Sequence, residues 1–336
     1  MNRFTSLRPI LLVLALICSF TLSAQAGKWV VYPGGPGIGS GKHVVLISGD
    51  EEYRSEEGLP MLGKILSVRH GFKCTVLFSQ NPKTGEIDPD NQTNIPGMHH
   101  LQEADLVVML LRFRELPDDD MKYLVDFMEA GGPVIGLRTS THAFNYTRNK
   151  DSQYAHYSFR AQSPWKGGFG QEVLGETWIN HHGHHKREAT RGLIDGMNFR
   201  HPILKGVTDV FGTSDVYGVR NLPSDAKVLL HGATLTGMES NDPVNLNKAL
   251  MPLAWVREYP WSTGKTSRIF TSTMGASVDL LSEDLRRTVV NAAFWCLGLE
   301  GKIPNKTNVD IVGDYKPTFY GFKTFTKGVK PEDHEL

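Results

Sequence analysis

Cysteine is almost missing from this chain: there are three in 336 residues, and Cys18 falls in the N-terminal leader. The two left, Cys74 and Cys296, cannot form the disulfide framework that holds small exported domains together. An ordinary apolar core has to do that work, and the composition, 40% hydrophobic and 21% charged, is that of a globular protein. Cys74 stands in the strand-like "FKCTVLF" and Cys296 in the apolar "VVNAAFWCLGL", so both read as small core residues. Whether they meet in one bridge is not set by the sequence. An excess of one charge is missing too. Lys and Arg number 36 and Asp and Glu number 36; without Arg3 and Arg8 of the leader the balance is 34 to 36. Such neutrality argues against a nucleic-acid partner, which would favour a strongly basic face. There is also no internal repeat and no low-complexity tract.

A targeting signal is present. Arg3 and Arg8 precede the apolar run from Ile10 to Ile17, and Ala24-Gln25-Ala26 supplies small residues for cleavage before Gly27. The run is too short and too early for a membrane span. Ile17 before Cys18 argues against a lipid anchor. Residues 1–26 are therefore expected to be a signal peptide, and the mature protein to be exported, periplasmic or extracellular, with no stable membrane insertion.

"VYPGGPGIGSGK" (31–42) resembles a phosphate loop only superficially. Pro36 stands where the loop needs glycine, His43 stands where it needs Ser or Thr, and the segment precedes a strand rather than following one. Residues 27–42 are expected to be a flexible lead-in.

From residue 43 onward strands and helices alternate. "HVVLISGD" (43–50), "KCTVLFS" (73–79), "ADLVVMLLRF" (104–113) and "PVIGL" (133–137) are short apolar runs fit for strands buried on both faces. Between them, "SEEGLPMLGKILSVRHG" carries apolar residues at helical spacing. "PDDDMKYLVDFMEAGG" opens on proline and acids and closes on two glycines. Later strands are expected at 226–235, 252–259 and 267–275, and a closing amphipathic helix from Ser282 to about Leu299. The pattern predicts an α/β domain with a doubly wound, mostly parallel sheet over 43–300, followed by a C-terminal arm, 301–336. Ligands of such sheets gather at the carboxyl ends of the strands. That rule selects Asp50-Glu51-Glu52, Arg112-Phe113-Arg114 and the turn from Arg138 to His142.

Six segments, in order, are "HVVLISGDEEYR", "GGPVIGLRTSTHAF", "FGQEVLGETWINHHGHH", "FRHPILKGVTDVFGTSDVYG", "PLAWVREYPWSTGKTSRIFTSTMGA" and "NAAFWCLGL". Together they resemble the trehalose-utilisation, or ThuA-like, family, which has the fold of class I glutamine amidotransferases (a flavodoxin-like sheet). The resemblance covers about 43–300 and implies a role in the metabolism of trehalose-like or keto-disaccharides. Amidotransferases carry a cysteine nucleophile on the turn after a Gly-Ile-Cys strand end. Here the stretch is Gly136-Leu137-Arg138, and an arginine, always protonated, cannot attack a carbonyl. Glutaminase activity is not expected.

Asp50 and Glu51, leaving the first buried strand, are candidates for acid and base roles. His142, after the fourth, is placed to exchange protons. Arg54, Arg138 and Thr139 are expected to hold substrate, and Asp215 and Tyr217 in "TSDVYG" match an acid–x–Tyr motif and are expected to line the same pocket. "INHHGHHK" (179–186) packs four histidines around Gly183. If 176–186 is a strand, His182 and His184 share one face and His181 and His185 the other. A helix would align His181 with His185, but Gly183 and the β-type "ETWI" speak against it. His182 is assigned to catalysis and His184 to substrate binding. The spacing matches no established zinc motif, so no metal and no cofactor is assigned, and a zinc-dependent hydrolase is the less favoured alternative. The other alternative is a carbohydrate-binding protein without activity.

Overall fold

The computed structural model describes residues 28–336, so the expected signal peptide lies outside the described residues. Ten strands form one sheet. They are β1 (Trp29–Tyr32), β2 (His43–Gly49), β3 (Lys73–Phe78), β4 (Leu106–Leu111), β5 (Val134–Leu137), β6 (Thr190–Ile194), β7 (Val210–Gly212), β8 (Lys227–Thr234), β9 (Met251–Pro260) and β10 (Thr266–Ser272). Three α-helices accompany them: α1 (Ser55–His70), α2 (Asp118–Glu129) and α3 (Glu283–Cys296). The strand order is β1-β3-β2-β4-β5-β10-β9-β8-β6-β7.

The sheet is mixed, which corrects the expectation of a mostly parallel one. β3, β2, β4, β5 and β10 run parallel to one another. The pairings β1–β3, β10–β9, β9–β8, β8–β6 and β6–β7 are antiparallel. The cause is connectivity. A parallel neighbour requires a crossover, usually helical, and between Thr190 and Ser272 the described chain contains no α-helix. β6 to β9 therefore pair antiparallel with their neighbours, while β10 is antiparallel to β9 and parallel to β5.

In the parallel part both faces are covered, as continuous apolar strands require. Val44 and Leu46 of β2 point into a core shared with α1 and α3, including Leu62, Val289 and Phe294. Val45 and Ile47 point to the opposite face, against Met121 and Leu124 of α2. α1 stops at Gly71, whose φ of 82° is left-handed and open to glycine at no steric cost. Asp118, Asp119 and Asp120 open α2, where the helix dipole favours acids. Cys74 and Cys296 are both buried and unpaired.

Residues 28–42 were expected to be a flexible lead-in, yet they supply the edge strand β1, paired with β3. The arm after Glu300 contains no strand, but it buries Ile303, Val309 and Tyr320 against the domain. Among the described residues no helix is long and apolar enough to cross a membrane. The carboxyl ends of β2, β4 and β5 lie side by side, and their loops bring Asp50, Arg112 and Arg138 to one end of the sheet.

Candidate functional site

Arg138 stands on the sharp turn leaving β5 with φ at 43°, a left-handed conformation that a side chain adopts only under strain. Its side chain turns inward and is fully buried. Nη1 donates to the carbonyls of Asp215 (2.6 Å) and Thr273 (2.7 Å), and Nη2 to Asp215 Oδ1 (3.0 Å) and the Tyr53 hydroxyl (3.1 Å). The guanidinium lies between two rings, 3.8 Å from the centre of Tyr217 and 4.6 Å from that of Tyr53. Arg138 was expected to bind substrate. Instead it anchors Asp215.

Asp215 is the hub of the site. Its Oδ2 lies 2.7 Å from His181 Nδ1, and its Oδ1 lies 3.0 Å from His185 Nδ1. On its far side His185 presents Nε2 to Glu52 Oε1 at 3.0 Å. Burial opposes ionisation of Asp215, but the Arg138 charge and the bonds from both imidazoles outweigh it and hold the carboxyl well below the usual range. The bonds to Asp215 and then Glu52 push His185 up to about 9, against the effect of burial. At neutral pH His185 is thus an imidazolium bridging two carboxylates. His181 is different. Asp215 fixes its Nδ1, while Nε2 has no hydrogen-bond partner among the described residues and its side chain is 37% exposed.

The chain around Gly183 explains how two histidines reach one carboxylate. The strand expected over 176–186 is absent; His181 makes one isolated bridge to Tyr217, and residues 185–187 form a turn. The amides of His182 and Gly183 both donate to the Val216 carbonyl, at 2.8 and 3.0 Å. A Cβ at residue 183 would stand 3.0 Å from Asp215 Cβ and 3.2 Å from the Val216 nitrogen, so the close approach favours glycine. The turn brings the two rings to 4.9 Å. The glycine that argued against helical alignment of His181 with His185 is what lets them converge.

His182 and His184 lie elsewhere. His182 Nε2 meets the Ala249 carbonyl at 2.9 Å, and His184 is exposed, with its backbone amide bonded to Glu188. Neither makes a contact with Asp215, whereas His181 and His185 both do.

The strand-end acids are also drawn into structural tasks. Asp50 is fully buried; its Oδ1 accepts from the amides of Glu52 (2.7 Å) and Tyr53 (2.5 Å), and its Oδ2 from the Thr139 hydroxyl. Thr139 is therefore a partner of Asp50. Glu51 pairs with Arg112 and, at 2.9 Å, with Arg114. Burial raises both carboxyls above their ordinary values, and Asp50 adds to the rise of Glu51. Of the three loop acids, Glu52 is the one that reaches the histidines. Arg54, fully buried with φ at 60°, points to the C-terminal arm and donates to Gly321 O and Thr324 Oγ1.

His142 is buried in a cluster of aromatic rings. Its ring lies 5.2 Å from Phe113, 5.5 Å from Trp178, 6.0 Å from Phe159 and 6.3 Å from Tyr217. Nδ1 faces Thr141 Oγ1 at 3.2 Å. Burial, then the charges of Arg112 and Arg138, keep it well below the usual histidine range, so it is a neutral imidazole. Trp178 also flanks His181 at 5.7 Å, joining the aromatic cluster to Asp215 and its histidines.

Among the described residues no hydroxyl or thiol bonds to His181 or His185, and both free cysteines are buried with their thiols pushed up by burial. The set lacks the nucleophile of covalent acyl transfer. It suits proton transfer: a carboxylate-oriented imidazole with a free nitrogen, beside a fixed cation. His181, His185 and Asp215 could also hold a metal, since one donor atom from each lies within 4.8 Å of the others. Their separations of 2.7 and 3.0 Å are hydrogen-bond lengths, and Arg138 already occupies Asp215 Oδ1.

Sequence reasoning singled out Asp215, Tyr217 and His142, and these stand together here. It placed Glu52 and Phe113 in strand-end loops and His181 beside His185 without assigning them a role, and it passed over Trp178. One usable signal for the histidines was their i, i+4 spacing.

A family model described as trehalose utilisation (ThuA) matches residues 44–296. Among curated proteins none matches. Two solved structures, described as thua-like proteins, are similar. One, from Parabacteroides merdae ATCC 43184, is 14% identical with a TM-score of 0.48, over 88% of this chain and 99% of that one. The other, from Bacteroides uniformis ATCC 8492, is 15% identical with a TM-score of 0.47, over 79% of this chain and 95% of that one.

Proposed function

The chain belongs to the ThuA family of trehalose utilisation, and we propose that it is an exported enzyme acting by proton transfer on a trehalose-like or keto-disaccharide. Family membership suggests the carbohydrate role. The observation that carries the mechanism is the 2.7 Å contact between Asp215 Oδ2 and His181 Nδ1, which leaves Nε2 open. A carboxylate held ionised by Arg138 fixes the orientation and tautomer of His181. His181 Nε2 then removes a proton from a sugar hydroxyl, from a carbon beside a keto group, or from water. The fixed charge of His185 stabilises negative charge developing nearby. His142, neutral, lies behind Trp178 and Phe113, whose partly exposed rings offer flat faces to the C–H side of a sugar ring. Export rests on the leader at 1–26.

The test is a screen of the mature protein on trehalose, related disaccharides and their keto derivatives, with and without added divalent metal. Replacement His181→Gln should lower kcat by about a hundredfold or more, the usual value of a positioned acid–base group, with Kd nearly unchanged. Binding without turnover in the wild type would favour the non-catalytic alternative. The donor triple His181, His185 and Asp215 favours the zinc reading; stoichiometric zinc in the purified protein, with turnover abolished by chelation, would replace the metal-free mechanism.

A further inference from the structure

The family match ends at residue 296, yet the arm that follows reaches the site. Tyr320 is 2% exposed. Its ring packs 5.0 Å from Tyr53 and 5.5 Å from His185, and its hydroxyl donates to the Thr213 carbonyl at 2.9 Å. The next residue is fastened from both sides: the Gly321 amide donates to the Glu52 carbonyl at 2.8 Å, and its carbonyl accepts from Arg54 at 2.5 Å. Glu52 is also the partner of His185.

Arg54 is the second indication. A guanidinium taken out of water needs compensation, and here Nε and Nη1 have no hydrogen-bond partner. Its hydrogen bonds all go to the arm, at Gly321 and Thr324. Such a buried cation holds the arm at one place on the domain.

Phe322 is what that place presents. It is 49% exposed, although phenylalanine normally seeks burial. Its ring lies 4.9 Å from the Arg112 guanidinium, whose other neighbour is Phe113, at 4.2 Å. Phe113 in turn borders His142. Phe322 thus carries the aromatic cluster, across Arg112, to an exposed rim. Arg112 is already paired with Glu51, so this part of the rim presents flat apolar faces over a neutralised charge.

We propose that the C-terminal arm completes the sugar site, with Phe322 contacting the substrate ring and Arg54 and Tyr320 as positioning residues that hold it there. The inference rests on the carbohydrate reading above. It names a neutral pyranose as the ring stacked on Phe322, by its C–H face.

Binding of trehalose and its keto derivative to the full mature chain tests it. Because Phe322 is exposed, Phe322→Ala should keep the wild-type Tm. It should weaken binding about three- to tenfold, the range for loss of one aromatic contact, and raise KM with kcat kept. Phe322→Trp should restore affinity and Phe322→Leu should not, since a merely structural apolar role would be met by leucine. Lys327→Ala, exposed on the same arm, should bind as the wild type does. Unchanged affinity in Phe322→Ala, or full rescue by leucine, overturns the proposal and leaves the proposed function standing. A wild type that binds neither sugar overturns both.

Discussion

Arg138 Nη2 and Asp215 Oδ1 stand 3.0 Å apart with both side chains fully buried. The pair joins the turn after β5 to the segment between β7 and β8. Arg138 stands on that turn with φ at 43°, and its cation organises a carboxylate there. Removing it with Arg138→Met should leave Asp215 a buried charge without its main partner. The expected loss is about 3–5 kcal/mol, read by urea denaturation. Lysine should not rescue, since it lacks the planar fork that meets two carbonyls, a carboxylate and a hydroxyl. Unfolding midpoints equal to wild type would refute this role.

His185 gives a pH signature. Its native pKa is raised, so its contribution to stability is complete below the unfolded value of about 6.5. That contribution is lost as pH rises through about 9. Histidine NMR should show one imidazole still protonated at pH 8, and Glu52→Gln should lower its titration midpoint. An imidazole at 185 that is neutral at pH 7 would contradict the bridge to Asp215 and Glu52.

Asp50, legible as a strand-end acid, should behave as a loop anchor. Asp50→Ala removes the acceptor for two amides and the Thr139 hydroxyl. A loss of about 1.5–3 kcal/mol is expected for bonds to a charged group. Because those amides belong to Glu52 and its neighbour, turnover should fall with it. An Asp50→Ala protein of wild-type stability with reduced turnover would instead point to direct chemistry.

The histidine cluster should divide in two. His182→Ala and His184→Ala are expected within about 0.5 kcal/mol of wild type, as for surface changes, and should keep turnover. His181→Ala should keep the fold and lose turnover. Equal loss from His182→Ala would return the catalytic assignment to the other pair.

Much of the fold was legible because burial on both faces forces continuous apolar runs. β2, β3, β4 and β5 appear within a few residues of where "HVVLISGD", "KCTVLFS", "ADLVVMLLRF" and "PVIGL" place them. β6 and β7 were not legible: they are five and three residues long, and β6 leaves Leu193 and Ile194 exposed, which blurs any alternation. β1 was hidden because its neighbours are rich in Gly and Pro, and only its pairing with β3 makes it a strand.

By itself the sequence determined the α/β class, the end of the sheet that gathers Asp50, Arg112 and Arg138, and the arginine on the turn after β5. These depend on local composition and on residue identity at one turn. Only the tertiary structure decided which histidines meet Asp215, that Asp50 caps its own loop, and that an arm beyond residue 300 reaches the site. Those outcomes depend on contacts between segments far apart in the chain, such as Arg54 with Gly321 and Gly183 with Asp215. No periodicity records such contacts. Within "INHHGHHK" the deciding residue was Gly183, whose missing side chain lets the backbone close over Val216 and aim His181 and His185 at one carboxylate.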